Sequence, residues 1–234
     1  MMTITAEYHQ HHRDVTGGWL RPAVFGVMDG LVSNGALIAG VAGGGGSTKM
    51  IVLTGIAGLV AGACSMATGE YTSVASQSDL TRAEIARERH ELATHPEEEQ
   101  EELAAIYRLR GLDPDLAEQV ATQLSRNPDQ AWRVHVREEM GIDPDDLPSP
   151  WLAGGSSFAA FSVGALVPVL PFLLGLGSLA ATLLFTAAAL FLAGAAVAQM
   201  TAVPTWYGGL RQLGLAAVAA GVTYGCGHLI GTGL

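Results

Sequence analysis

The clearest pattern in this chain is a series of long segments with almost no charged side chains. Four segments contain at most one Asp, Glu, Lys or Arg: 22–47, 50–78, 151–200 and 212–234. A membrane-spanning helix needs about 20 apolar residues, so the segment 151–200 is long enough for two helices. The residues "GLGS" at 175–178 predict a turn between those two helices. The pattern therefore predicts five membrane spans.

We accordingly expect an all-α membrane protein with five transmembrane helices and a small helical cytosolic insert between spans two and three. The predicted sections are an N-terminal tail (1–20), spans one and two (21–78), an acidic insert (79–148) and spans three to five (149–234). The first span lacks the basic start, short apolar core and A-x-A site of a cleaved signal peptide, so we expect none.

The insert carries the whole net charge of the chain. The segment 76–148 contains 18 acidic and 8 basic residues, a net charge of −10, whereas the rest of the chain has 4 of each. Such an insert attracts cations and repels nucleic acid and anionic lipid headgroups. Nucleic acid is therefore not an expected partner.

Basic residues near the span ends predict the orientation. With the N-terminus inside, four basic residues are cytoplasmic and only Lys49 is outside. The cytoplasmic residues are then Arg13, Arg21, Arg82 and Arg211. This places the insert in the cytosol. No targeting sequence is visible, and the short chain is typical of bacteria, so the expected location is a bacterial plasma membrane.

Helix start and stop signals divide the insert into short helices. Three segments begin with a proline, Pro96, Pro114 or Pro128, which suits the first turn of a helix. Gly111 and Gly141 stand where two of these helices are expected to end. Together with a cytosolic extension of span two, the signals predict about four short helices.

Glutamates recur in these helices at spacings that put them on common faces. The candidate ligands are Glu88, Glu91, Glu99, Glu102, Glu138 and Glu139. If the helices on either side of Pro96 fold back on each other, two of these faces converge. Converging carboxylates repel one another unless a cation lies between them. We therefore hypothesise that 79–148 is a metal-binding domain, and the alternative is a solvated acidic face.

Histidines are weaker candidates than the glutamates. His90, His95 and His135 are auxiliary candidates, and the N-terminal "YHQHH" at 8–12 is more typical of a disordered tail. The Glu-x-x-His motif of di-iron bundle proteins is absent, because glutamate stands where that motif needs histidine. This absence argues against a ferritin-like oxidase.

Acidic residues also lie inside the first two spans. A charge at the bilayer centre costs roughly 2.5–3.5 kcal/mol on insertion scales, so Asp29 needs a reason to be there. Asp29 and Glu70 each lie about eight residues, roughly 12 Å, from a cytosolic span end, and Met66 is one turn from Glu70. Two carboxylates and a thioether suit Fe²⁺ better than Mg²⁺ or Ca²⁺, and Ser33 and Asn34 could add oxygens. Simple packing of Met66 and an interfacial Glu70 are the alternatives.

The sequence motifs argue against an enzyme and against use of ATP. No HExxH or GxSxG motif is present, and "GGGGSTK" at 43–49 lacks the Walker spacing. A secondary transporter of divalent metal, with no cofactor, is the favoured function. A membrane-anchored metal-binding sensor or buffer is the alternative. The ligand types do not rank Fe²⁺ against Mn²⁺, Zn²⁺ or Co²⁺.

Three segments resemble the vacuolar iron transporter family. They are "FGVMDGLVSNGALIAGVAG" (25–43), "GLVAGACSMATGEYTSVASQSD" (58–79) and "FSVGALVPVLPFL" (161–173). The resemblance extends over the chain from about residue 18 and includes no ferritin-like domain. It implies a homodimer that moves Fe²⁺, and often Mn²⁺, out of the cytosol in exchange for protons. The path would lie at or near the dimer interface.

The resemblance also assigns residues. By motif position, Asp29 and Met66 match the membrane metal ligands of the family, and Glu70 is a neighbouring path residue. Five glutamates match those of the cytosolic metal-binding domain: Glu88, Glu91, Glu99, Glu102 and Glu139. Glu138 remains an alternative to Glu139, because the helix register decides which of the two faces the site.

Overall fold

The computed structural model describes residues 18–201 and 203–233, and these residues form helices and turns without any strand. The helices are α1 (Leu20–Gly43), α2 (Thr48–Thr94), α3 (Pro96–Leu109), α4 (Pro114–Ser125), α5 (Pro128–Met140), α6 (Pro150–Leu166), α7 (Leu170–Leu173), α8 (Leu179–Met200) and α9 (Thr205–Gly233). Helices α1, α2, α8 and α9 are long and apolar enough to cross a membrane. The expected class, an all-α membrane protein, is confirmed.

The number of spans stays a prediction. The third predicted span is not one continuous helix, because α6 ends after 17 residues and a turn at 167–169 separates it from the short α7. Pro168 lies in this turn, and proline lacks the N–H that would continue the helix. The turn predicted at 175–178 is confirmed: Gly175 and Gly177 have positive φ angles, and Ser178 caps α8.

Contacts divide the chain into two compact units, which are described separately. The membrane unit comprises the described residues up to Thr72 and from Pro150 onward, and the insert unit comprises Ser73–Ser149. In the membrane unit, α1 packs against α6, α8 and α9, and α8 packs against α9. Helix α1 therefore contacts three other helices of the membrane unit.

Glycines allow the helices of the membrane unit to pack closely. Gly26 and Gly30 both face α6, and a Cβ atom at Gly26 would lie 2.8 Å from the carbonyl oxygen of Ser157. Gly62 of α2 faces the ring of Phe161 in the same way. The Gly-x-x-x-Gly spacing of Gly26 and Gly30 thus serves helix packing within one chain, which is a common use of small residues in membranes.

Asn34 connects three helices of the membrane unit. Its side-chain nitrogen donates to the carbonyl oxygen of Gly55 in α2 at 3.1 Å and to that of Ala165 in α6 at 2.6 Å. Because the turn at 167–169 interrupts the helical hydrogen bonds, the Ala165 carbonyl depends on this outside donor. The amide nitrogen of Asn34 is therefore committed to helix packing, whereas its Oδ1 atom is buried without a hydrogen-bond partner among the described residues.

The insert unit is a small helical bundle with its own core. Leu103, Ala104 and Ala121 are buried together, and Tyr107 and Val134 pack against them. Helices α3, α4 and α5 contact one another. The predicted helix starts at Pro96, Pro114 and Pro128 are confirmed.

Candidate metal centre

The candidate ligands of the insert unit lie on α2, α3 and α5. Only His95 separates the end of α2 at Thr94 from the start of α3 at Pro96, so the chain folds back sharply between the two helices. Glu88 of α2 and Glu99 of α3, eleven residues apart in sequence, both lie beside His135, whose Nδ1 atom is 3.2 Å from Glu88 and 3.6 Å from Glu99. The convergence predicted for the helices on either side of Pro96 is present.

Helix caps define the two ends of α5, the helix that carries the remaining ligands. The side chain of Asn127 accepts a hydrogen bond from the Asp129 backbone at the start of α5, and Gly141 ends the helix with a φ of 66°. Within α5, His135 and Glu139 are four residues apart and therefore share one face. That face brings an imidazole and a third carboxylate to the glutamates of α2 and α3.

The centre of the site consists of Glu88, His135 and Glu139. One ligand atom from each of the three lies within 4.8 Å of the others, an arrangement that could hold a metal ion. The Nδ1 atom of His135 lies 3.2 Å from Oε1 of Glu88 and 3.6 Å from Oε2 of Glu99. His135 is 0% exposed, Glu88 5% and Glu99 8%, whereas Glu139 is on the exposed side.

Burial and mutual repulsion make these carboxyl groups hard to ionise. Burial, together with the nearby carboxylates of Glu139 and Glu99, raises the pKa of Glu88 to about 8. Loss of hydration also raises the pKa of Glu99 and of Glu139, and the charge of Glu102 adds to both shifts. Ionisation of these carboxyl groups would concentrate negative charge where few water molecules can stabilise it, and a bound cation would relieve that repulsion.

Glu91 and Glu102 lie at the edge of the same cluster. The charge of Glu91 contributes to the raised pKa of Glu88 and Glu99, and Glu91 also forms an ion pair with Arg87 at 3.1 Å. Glu102 is exposed and acts on Glu99 and Glu139 through its charge. Five of the six glutamates proposed from the sequence thus surround one place.

Glu138 is the glutamate that the structure does not bring to this place. Its carboxylate pairs with Arg110 and accepts a hydrogen bond from the hydroxyl of Tyr107 at 3.2 Å. Arg110 also donates to the backbone carbonyl of Glu138 at 3.0 Å. Between the two neighbours, the helix register puts Glu139 at the cluster and Glu138 on an adjoining face.

His135, an auxiliary candidate from the sequence, lies at the centre of the cluster in the structure. Burial lowers its pKa, so the imidazole is neutral and its nitrogen lone pair is available at neutral pH. The sequence offered one signal: Ala131, His135 and Glu139 recur every four residues along one face of α5. His90 and His95 are exposed, and the histidines at 8–12 lie outside the described residues.

The candidates in the membrane unit are less closely assembled. Asp29 and Glu70 are both partly buried, and no ion pair joins either of them to another described residue. Met66 packs against Ala63 and Phe161, which agrees with the packing alternative considered from the sequence. The hydroxyl of Ser33 donates to the backbone carbonyl of Asp29 at 2.6 Å.

Comparison with known proteins gives a consistent picture. A family model described as "VIT family" matches residues 20–228. The vacuolar iron transporter of Acanthamoeba castellanii is 42% identical over 155 residues, 66% of this chain and 56% of that protein. Vacuolar iron transporter 1 of Arabidopsis thaliana is 33% identical over 83% of this chain and 79% of its own length. Vacuolar iron transporter 1 of Eucalyptus grandis is 30% identical over 94% of this chain and 89% of its own length.

Proposed function

This chain belongs to the VIT family, and on that premise we propose that it carries divalent metal ions, Fe²⁺ and also Mn²⁺, out of the cytosol in exchange for protons. The metal is the substrate, and the proposal includes no resident cofactor. Carboxylate, imidazole and thioether ligands also admit Zn²⁺ and Co²⁺. The names of the curated relatives support iron as the cargo.

The observation that carries the proposal is the convergence of glutamates from three helices of the insert unit. Glu88 and Glu99 are buried beside each other, and Glu139 completes the group from α5. Carboxylates in such a place are stabilised by a divalent ion. The net charge of −10 on 76–148 would raise the local concentration of cations. We propose that this site captures metal from the cytosol.

The raised pKa of Glu88 supports the coupling to protons. With a pKa of about 8, Glu88 holds a proton at neutral pH, and a metal ion must displace that proton to bind. Metal loading therefore releases protons at the capture site. In the membrane, we propose that Asp29 and Met66 hold the ion in transit and that Asp29 or Glu70 takes up the proton in exchange.

We further propose that the working unit is a homodimer in a bacterial plasma membrane, with the insert on the cytosolic side. Asp29 lies on the same side of α1 as the exposed residues Phe25 and Ser33, which is where a second copy could complete the path. The basic residues Arg21, Arg82 and Arg211 support the orientation.

Metal uptake into proteoliposomes tests the function. We expect Fe²⁺ to enter vesicles that contain the protein. A proton gradient with the more acidic side inside the vesicles should accelerate this uptake. Glu88→Gln/Glu99→Gln/Glu139→Gln should reduce uptake at low metal concentration. The matched control replaces three exposed glutamates that lie outside the cluster, Glu97, Glu98 and Glu118, with glutamine and should behave like wild type.

The same assay decides against the alternative, a membrane-anchored sensor or buffer. A sensor binds metal at the insert unit but moves none, so vesicles containing it would take up no more Fe²⁺ than protein-free vesicles. If that result were obtained while metal binding was intact, the proposed transport function would be wrong and the sensor or buffer function would be favoured. If Glu88→Gln/Glu99→Gln/Glu139→Gln took up metal as well as wild type at low metal concentration, the proposed capture role of the insert site would be wrong.

A further inference from the structure

We propose that His135 is a ligand of the insert site and that its imidazole nitrogen makes the site favour Fe²⁺, Co²⁺ and Zn²⁺ over Mn²⁺, Mg²⁺ and Ca²⁺. The inference deepens the capture role and rests on the proposed function. It changes the site from an all-carboxylate cluster, which would attract any divalent cation, into a mixed nitrogen and oxygen site.

The environment of His135 is the main evidence. The side chain is fully buried, and neither Nδ1 nor Nε2 has a hydrogen-bond partner. Oxygen Oε1 of Glu88, which faces Nδ1 at 3.2 Å, also lacks a partner, because the contact does not have hydrogen-bond geometry. Buried polar groups are nearly always satisfied, so these unpaired atoms that face each other indicate a position suited to binding a cation.

The spacing of the donor atoms fits one ion. The ligand atoms of Glu88, His135 and Glu139 all lie within 4.8 Å of one another. Metal–nitrogen and metal–oxygen bonds of roughly 2.0–2.2 Å place the ligands of one ion about 3–4 Å apart. Shortening these distances by at most about 1–2 Å would bring the three donors into coordination. Glu99 lies next to them on α3.

The other described histidines of the insert unit do not share this environment. His90 and His95 are exposed, and the Nδ1 atom of His95 contacts the hydroxyl of Thr94 at 2.9 Å. His135 alone among the three faces carboxylates from two other helices. Its place on α5, one turn before Glu139, is therefore specific to the site and not a general feature of histidines in this unit.

The chemistry of imidazole predicts the selectivity. Carboxylates alone suit Mg²⁺, Ca²⁺ and Mn²⁺, whereas imidazole suits Fe²⁺, Zn²⁺ and the later first-row ions. A nitrogen donor therefore adds affinity for the latter group and little for the former. Cytosolic Mg²⁺ would then compete poorly for the site despite its abundance.

Metal titrations of the full chain in detergent test the selectivity. His135→Gln should weaken Co²⁺ and Zn²⁺ binding at least about tenfold, the lower end of what disturbing a metal ligand costs, and should change Mn²⁺ binding far less. His90→Gln, an exposed control, should match wild type. Equal losses for Co²⁺ and Mn²⁺, or no loss for either, would overturn the inference.

Pulsed electron paramagnetic resonance of bound Mn²⁺ tests ligation directly and does not depend on the variant folding. Coupling to ¹⁴N should be present in wild type and in a full-length variant with His9, His11 and His12 changed to glutamine, and absent in His135→Gln. A wild-type spectrum without ¹⁴N coupling would refute His135 as a ligand. If Glu88→Gln/Glu99→Gln/Glu139→Gln still bound metal like wild type, the capture role itself would fail.

Discussion

At the scale of single residues, the contrast between Glu138 and Glu139 shows how the environment divides two identical side chains. Adjacent residues on a helix point about 100° apart, since 3.6 residues complete a turn. Glu138 is neutralised by Arg110 and held by Tyr107. Glu139 has carboxylates for neighbours, and its pKa is raised. One can stabilise the fold and the other can bind metal.

Single substitutions should separate these two roles. Glu139→Gln should lower the affinity for Fe²⁺ or Mn²⁺ by about tenfold or more, because it removes a ligand. Glu138→Gln should leave metal affinity within about twofold of wild type and should cost at most about 1 kcal/mol of stability, as expected for a partly exposed ion pair. Isothermal titration and thermal melts measure both, and the reverse pattern would exchange the two assignments.

The raised pKa of Glu88 predicts how the metal-free insert responds to pH. The folded state keeps the carboxyl protonated up to about pH 8, whereas an exposed glutamate loses its proton near its ordinary value of 4.5. The stability that Glu88 contributes is thus full below pH 4.5 and is lost as the pH rises through 8. In the metal-free protein, the protonated form of Glu88 is therefore the form that stabilises the insert unit.

Hydrogen exchange in α3 and α5 should report this dependence. In protein freed of metal by a chelator, protection should be lower one unit above the pKa of about 8 than one unit below it, after correction for intrinsic rates. Glu88→Gln should flatten the difference, and added Mn²⁺ should restore protection at the higher pH. Equal protection at both pH values in wild type would contradict the burial of an ionisable Glu88.

At the scale of elements, the end of α6 explains why the side chain of Asn34 in α1 bonds to the backbone of a distant helix. Pro168 interrupts the helix, and the freed carbonyl of Ala165 accepts a hydrogen bond from Asn34. The same nitrogen donates to Gly55, so one amide ties α1, α2 and α6 together. In the membrane interior no water can take over these bonds.

Asn34→Ala should therefore destabilise the membrane unit. Two interhelical hydrogen bonds of about 0.6 kcal/mol each predict a loss of about 1 kcal/mol and a lower melting temperature in detergent. Ser33→Ala is the matched control, since Ser33 bonds only within α1 and is exposed. An unchanged melting temperature for Asn34→Ala would mean that the carbonyl of Ala165 does not need the hydrogen bond from Asn34.

Several elements could be predicted from the sequence because local chemistry determines them. Prolines after Asp113 and Asn127 start α4 and α5, and the side chains of these two residues cap the helices. The glycines at 175 and 177 interrupt the uncharged segment 151–200 with a turn, through positive φ angles that other residues disfavour. The fold class followed from the length of the uncharged segments.

Other features depend on contacts between distant segments and could not be predicted in this way. Asn34 looked like a source of oxygen ligands, and its helix-bridging role requires the position of Ala165, 131 residues away. His135 looked like a minor candidate, because nothing local shows that α5 turns it toward Glu88 and Glu99. The interruption of α6 was hidden within an apolar run that reads as one span.

At the scale of the whole molecule, charge and apolar surface are divided between two units. The net charge of −10 lies in the segment 76–148, and the remainder has equal numbers of acids and bases. One unit can therefore concentrate cations while the other offers few charged groups to them. Asp29 is the acidic residue of α1, and on our account each ion that crosses the membrane does so at Asp29 in exchange for protons.

Simultaneous measurement of Fe²⁺ and proton movement in proteoliposomes tests that central claim most directly. For wild type and for the control Glu138→Gln, which makes the same carboxylate-to-amide change outside the metal cluster, we predict Fe²⁺ uptake together with proton efflux in a fixed ratio. For Asp29→Asn, which keeps the size and removes the charge, we predict that both movements stop while the insert unit still binds metal. Undiminished Fe²⁺ flux with proton exchange through Asp29→Asn would contradict the account.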